Sequence, residues 1–178
     1  MSIALILILS AALRLFDLGK LPISLFGDEV DVGYHAWSLF TSLKDYSGRF
    51  LPLYIKSLAE FRAPILMYVS APFVGFFGPS TFSVRLGAAV MGLLSIYLLY
   101  YLVNLIFPKR QLGVVAALFL SLTPWHIHYS RAAFEVTTLM ALVLLGAIAF
   151  INKKYILSSI FFCLTIYTYS TAAVFTPL

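Results

Sequence analysis

Three carboxylates, Asp28, Glu29 and Asp31, fall within four positions of the stretch "LFGDEVDVGYHAWS". The chain around them is 62% hydrophobic and only 11% charged, so the concentration needs a reason. A carboxylate at the edge of a low-dielectric region can act as a general base that deprotonates a hydroxyl or amine during group transfer. It can also stabilise positive charge growing on a sugar ring. The competing reading is a helix start, with Asp28 capping a helix that begins near Val30 and its neighbours favouring the dipole. Three acids in four positions exceed what a cap needs, and both readings stay open.

Other chemistry-bearing residues lie far away in sequence. Arg62, in "EFRAPILMY", precedes an apolar run, where a planar guanidinium suits a phosphate on a lipid carrier or snorkels toward headgroups. Arg131, in "HYSRAAFE", has the same two readings and on a helix would pair with Glu135 four residues on. His126 and His128 are two apart; they can ligate a metal, with Glu135 or an acid of the first loop, or simply hydrogen-bond at an interface. Tyr167 and Tyr169 suit an aromatic belt or donate to a phosphate or sugar. No P-loop, GxSxG, CxxC or Rossmann fingerprint is present, so nucleotide and serine-hydrolase chemistry lack support.

The elements that must position these residues are apolar helices. A mean hydropathy of +0.98 describes a chain that uses lipid as solvent. Five spans are expected, over residues 3–18, 82–107, 112–122, 132–151 and 155–171. The first lacks a basic leader region, so it reads as a span and not as a signal peptide. The second would be about 39 Å long as a helix. The third is cut short by Pro124 and should continue as an irregular or re-entrant piece. The turns "PKRQ" and "NKK" carry only positive charge and share a face by parity, which makes that face cytoplasmic. No basic stripe exists, so nucleic acid is not an expected partner. The single cysteine, Cys163, excludes an internal disulfide.

Residues 20–81 then lie outside, with five basic residues against five acidic ones. "VDVGYHAWSLF" has the periodicity of an amphipathic helix, with Tyr34 and Trp37 at the interface. "KDYSGRFLP" is turn chemistry through Ser47-Gly48. "APILMYVSAPFVGFFG" reads as a second interfacial helix that Pro64 starts. The acids, both arginines, the histidine pair and the tyrosines all fall on this outer face, as the lining of one pocket.

The order of "GDE", "RAPILMYVSAPFVGFFGPSTFSVRL", "TPWHIHYSRAAFE" and "YTYSTAAVFTPL" resembles the membrane glycosyltransferases of the GT-C fold. Within that fold it is most similar to the dolichyl-phosphate-mannose-protein mannosyltransferase and aminoarabinose transferase group. The resemblance implies an all-α, multi-pass protein of the plasma membrane. It implies sugar transfer, with inversion, from a polyprenyl-phosphate donor to a protein, lipid or glycan acceptor on the extracytoplasmic face. The acidic pair that carries the catalytic carboxylate falls on Asp28 and Glu29. Arg62 and Arg131, with Tyr167 and Tyr169, are then expected to hold the donor phosphate. Tyr34, His126, His128 and Glu135 are expected to line the site, with a divalent metal left open. Family members are much longer, so residues 1–178 read as the N-terminal part of such an enzyme. The rival readings are a transporter segment, which would place ionisable groups at mid-membrane, and a fragment inactive by itself.

Overall fold

The computed structural model describes residues 2–57, 60–108 and 110–176, apart from the side chains of Arg110 and Phe175. Lys109 of the expected basic turn and the last two residues of "TPL" lie outside the described residues.

The architecture is helical, with one small hairpin. In chain order it runs α1 (Ile3–Leu15), α2 (Gly27–Ser42), β1 (Ile55–Ser57), β2 (Glu60–Arg62), α3 (Ile65–Phe77) and α4 (Thr81–Ile106). It continues with α5 (Arg110–Leu122), α6 (Pro124–Ser130), α7 (Val136–Ile151), α8 (Tyr155–Ile166) and α9 (Ala172–Phe175). The antiparallel pairing of Ile55 with Arg62 departs from the all-α expectation. It matters because it fixes where Arg62 leaves the backbone.

Helix α4 is the axis and packs against α1, α2, α3, α5, α6 and α7. Apolar side chains attract one another weakly in lipid, so close approach of backbones and interhelical hydrogen bonds must hold such helices together. The small residues are placed for this. Gly87 of α4 faces Ser70 of α3, Gly92 of α4 faces Ser130 of α6, and Gly75 of α3 lies under the Phe40 ring of α2. Ser95 and Thr137 add cross-helix bonds to the carbonyls of Thr137 and Ala88. Beneath the first outer segment, Val32 and Leu39 of α2 meet Leu66 and Val74 of α3 and Val84 of α4 in one apolar cluster.

Helices form where the periodicity placed them, but most are short. Among the described residues only α4, at 26 residues, is alone long and apolar enough to cross a bilayer. Helices α5 and α6 pass the same test as a pair bent by 65°, with the break at Thr123 before Pro124. This matches the interrupted third segment. Helices α1, α3, α7 and α8 have 12 to 16 residues, which is short of the roughly 20 a span needs, so five full spans are not established.

The expected cap is also corrected. Helix α2 starts at Gly27, ahead of Asp28, and Glu29 is the capping side chain, its Oε2 accepting from Phe26 N–H at 3.0 Å.

Candidate active site

The hub of the site is Arg62, delivered by β2 to the exposed start of α2. Its Nη1 donates to Asp28 Oδ1 at 3.2 Å and to Asp31 Oδ2 at 3.4 Å, and its Nη2 donates to Glu135 Oε1 at 2.9 Å. One guanidinium therefore ties α2 to the residue that opens α7. Asp28 keeps 43% of its side-chain surface exposed, whereas Glu135 keeps 11%. Burial raises the Glu135 carboxyl above its ordinary value, although its own backbone N–H and the charge of Arg62 oppose the shift.

Asp28, Arg62, His128, Glu135, Tyr169 and Ser170 line a cleft of about 460 Å³. Glu60 lines it as well, so three acids face one arginine among the described residues. A cleft with that balance favours cationic charge developing on a ligand. An incoming phosphate must take its compensation from Arg62, whose bonds to the carboxylates would then have to rearrange.

Glu29 does not face the cleft. It is 2% exposed, and Arg85 of α4 donates to it twice, Nε to Oε1 at 2.8 Å and Nη2 to Oε2 at 3.1 Å. Ala133 N–H adds a third bond to Oε1, at 3.0 Å. Burial pushes the Glu29 carboxyl up, but Arg85 and the N–H groups of Phe26 and Ala133 outweigh it and hold it below the usual carboxylate value. Arg85 spends its remaining donors on the carbonyls of Leu18, Pro22 and Ser24. Glu29 thus joins α2, α4 and the turn before α7, and its lone pairs are committed to that work.

Four more expected residues lie outside the cleft lining. Arg131 donates to the carbonyls of Leu13, Phe16 and Leu21, not to Glu135, because α6 ends at Ser130 and no helix joins positions 131 and 135. His126 is fully buried, with Nδ1 at 2.8 Å from Arg14 Nη2. A guanidinium only donates, so Nδ1 is the acceptor. Tyr34 borders a separate apolar hollow with Trp37 and Val84. Tyr167 packs on Tyr54, ring centroids 5.5 Å apart, one residue from the cleft wall at Thr168. The single shared pocket therefore resolves into one cleft, with Arg131, His126, Tyr34 and Tyr167 outside its lining. Among the described residues no three His, Cys, Asp or Glu side chains are placed to hold a metal ion, and the donor set expected around His126 and His128 does not converge.

Sequence reasoning passed over Arg85 and Arg14 as functional partners, and took Asp31 only as a member of the acid cluster, not as a partner of Arg62. Arg14 is fully buried, and besides His126 it reaches Ser130 Oγ and the carbonyls of Ser10 and Ser121. Asp31 carried a signal, its place three residues after Asp28 on one helix face. Single arginines at the ends of apolar runs carried none that separates a buried network from snorkelling.

A family model described as dolichyl-phosphate-mannose-protein mannosyltransferase matches residues 62–178. The match begins at Arg62, so Asp28 and Asp31 lie ahead of it, joined to it through the Arg62 bonds. No curated protein and no solved structure matches the chain.

Proposed function

We propose that this chain, which belongs to the dolichyl-phosphate-mannose-protein mannosyltransferase family, transfers mannose from a polyprenyl-phosphate carrier to an acceptor hydroxyl in the cleft beside Asp28. The observation that carries the reading is the half-exposed Asp28 carboxylate, held by Arg62 in a cleft that Glu60 and Glu135 also line. The acceptor oxygen attacks the anomeric carbon as the bond from that carbon to the phosphate oxygen breaks. The acceptor proton passes to Asp28, and the polyprenyl phosphate leaves with the electron pair. Asp28, Glu60 and Glu135 favour the positive charge that develops on the ring in between.

Arg62, rather than Arg131, is the arginine placed for the phosphate. Tyr169, Ser170 and His128 line the cleft, and their polar groups would hydrogen-bond sugar or phosphate oxygens. Glu29 positions Asp28 by fixing the first turn of α2 against Arg85 and takes no part in bond making. The cleft faces the extracytoplasmic side, because Lys153 and Lys154 sit in the turn at the far end of α7.

Membranes carrying the chain, given labelled polyprenyl-phosphate mannose, test the reading. Asp28→Asn keeps the shape and removes the base, and should cut transfer by about 10²-fold or more. Undiminished transfer by that variant overturns the assignment.

A further inference from the structure

One face of α2 carries Asp28, Asp31 and His35 at spacings of three and four. Arg62 Nη1 spans the first two. The other oxygen of Asp31, Oδ1, lies 3.5 Å from His35 Nε2. Behind it, His35 is fully buried and its ring stacks on Tyr46, centroids 4.4 Å apart. Neither ring nitrogen has a hydrogen-bond partner. Val32, Ala36 and Leu39 of the same helix belong to the apolar core, and an apolar side chain at position 35 would leave no polar atoms of its own unmet. An imidazole kept there at that cost points to a use for its proton.

The charge balance of the cluster supplies the use. A single guanidinium serves Asp28, Asp31 and Glu135. Any anion that draws Arg62 into the cleft strips Asp31 of its cation, and the nearest group able to replace it is His35. We propose that His35 is a positioning residue whose protonation is coupled, through Asp31, to the engagement of Arg62: neutral while Arg62 spans Asp28 and Asp31, cationic once the guanidinium is drawn away. The proton enters by way of Asp31, which keeps 16% of its side-chain surface exposed. Its arrival holds the Asp31 carboxylate, and with it the Asp28 face of α2, in place while Arg62 is occupied elsewhere.

The groups around His35 give the coupling its sign. Asp31 faces it from α2 itself, Asp45 and Tyr46 from the loop that follows, and Arg62 from β2; Tyr68 of α3 lies near Asp45. Burial pushes the imidazole below its ordinary value, Asp31 and Asp45 pull it up, and Arg62 pushes it down. Loss of the Arg62 charge must therefore favour the imidazolium, and loss of Asp31 must disfavour it.

The proposal rests on the transferase reading only for the identity of the anion, so its test needs no turnover. Nitrogen NMR of ¹⁵N-histidine-labelled chain in detergent follows the three imidazoles against pH, with His35 identified by its loss in His35→Asn. Arg62→Gln should raise the His35 midpoint by about one unit or more. Arg62→Lys, which keeps the charge, should raise it less. Asp31→Asn, which leaves Arg62 its bonds to Asp28 and Glu135, should lower it. A midpoint that moves in neither Arg62→Gln nor Asp31→Asn overturns the coupling. Farnesyl phosphate and inorganic phosphate are then added to the unaltered chain. A rise with farnesyl phosphate alone supports a lipid-borne phosphate as the anion, and a rise with both supports the phosphoryl group by itself. If the variants move His35 and neither phosphate does, the coupling stands and the donor reading of the cleft is what fails.

Discussion

Neighbouring residues on a helix leave it about 100° apart, and that angle separates Asp28 from Glu29. Asp28 turns to the cleft and Arg62, while Glu29 turns to the interior and Arg85. Removing one partner of a buried ion pair strands the other, at a cost of about 3–5 kcal/mol. Glu29→Gln should therefore lower the unfolding temperature in detergent, whereas Asp28→Asn should leave it within a few degrees while cutting transfer. The pH dependence has a definite sign. Because the folded value of Glu29 lies below its ordinary 4.5, its contribution is full above that value and is lost as pH falls through the folded one. Thermal melts taken into acid should lose stability over that window, and Glu29→Gln should lose less. Glu135 runs the other way: its raised folded value gives a contribution present below 4.5 and lost as pH rises through the folded value. Glu135→Gln should flatten melts on that side. The cluster "GDE" could be read in the sequence as chemistry, but the division of labour within it could not. It depends on Arg85, 56 residues away, and on the N–H of Ala133, neither of which marks itself in the chain.

At the scale of elements, local rules carried far. Pro64 precedes α3, Pro124 opens α6 after the break at Thr123, and the 16 residues of α2 follow the amphipathic pattern of "VDVGYHAWSLF". The hairpin that presents Arg62 was not legible, because strands of three residues are too short to show an alternating period. Helix contacts were equally hidden, since a glycine in an apolar run does not announce which neighbour it admits. Gly92 is the sharpest case: a Cβ there would overlap Ser130 Oγ, the hydroxyl that accepts from Arg14 Nε. Alanine normally favours a helix over glycine by about 1 kcal/mol, so Gly92→Ala would stabilise an unhindered α4. Overpacking should win, by about 1–3 kcal/mol. Gly27→Ala, whose Cβ meets nothing within 4 Å, serves as the control and should be neutral or slightly stabilising. Equal melting temperatures for the two variants would show that α4 and α6 do not meet at Gly92.

For the molecule as a whole, the legible property was one-sidedness. The acids of α2, Arg62, Arg85, Glu135 and Tyr169 come from segments between residues 28 and 169, yet their helices all bring them to one end of the bundle. Helix α7 leaves that end at Glu135 and reaches Asn152 after 16 residues, about 24 Å away. Helix α8 returns from the Lys153–Lys154 turn to the cleft wall at Thr168. The number of crossings was not legible, because hydropathy reports that a segment tolerates lipid and not how far its helix extends before a cap or break ends it. Orientation then rests on Lys153 and Lys154 lying opposite the cleft, and it can be read directly. In a Cys163→Ala background, which removes the exposed native thiol, cysteine is placed at the exposed positions Ser170 and Lys153 in turn. A membrane-impermeant maleimide applied to intact cells should label Ser170→Cys and spare Lys153→Cys, which should react only in inverted vesicles. Labelling of both from the same side would place cleft and basic turn in one compartment, and an extracytoplasmic sugar-transfer site would fall with it.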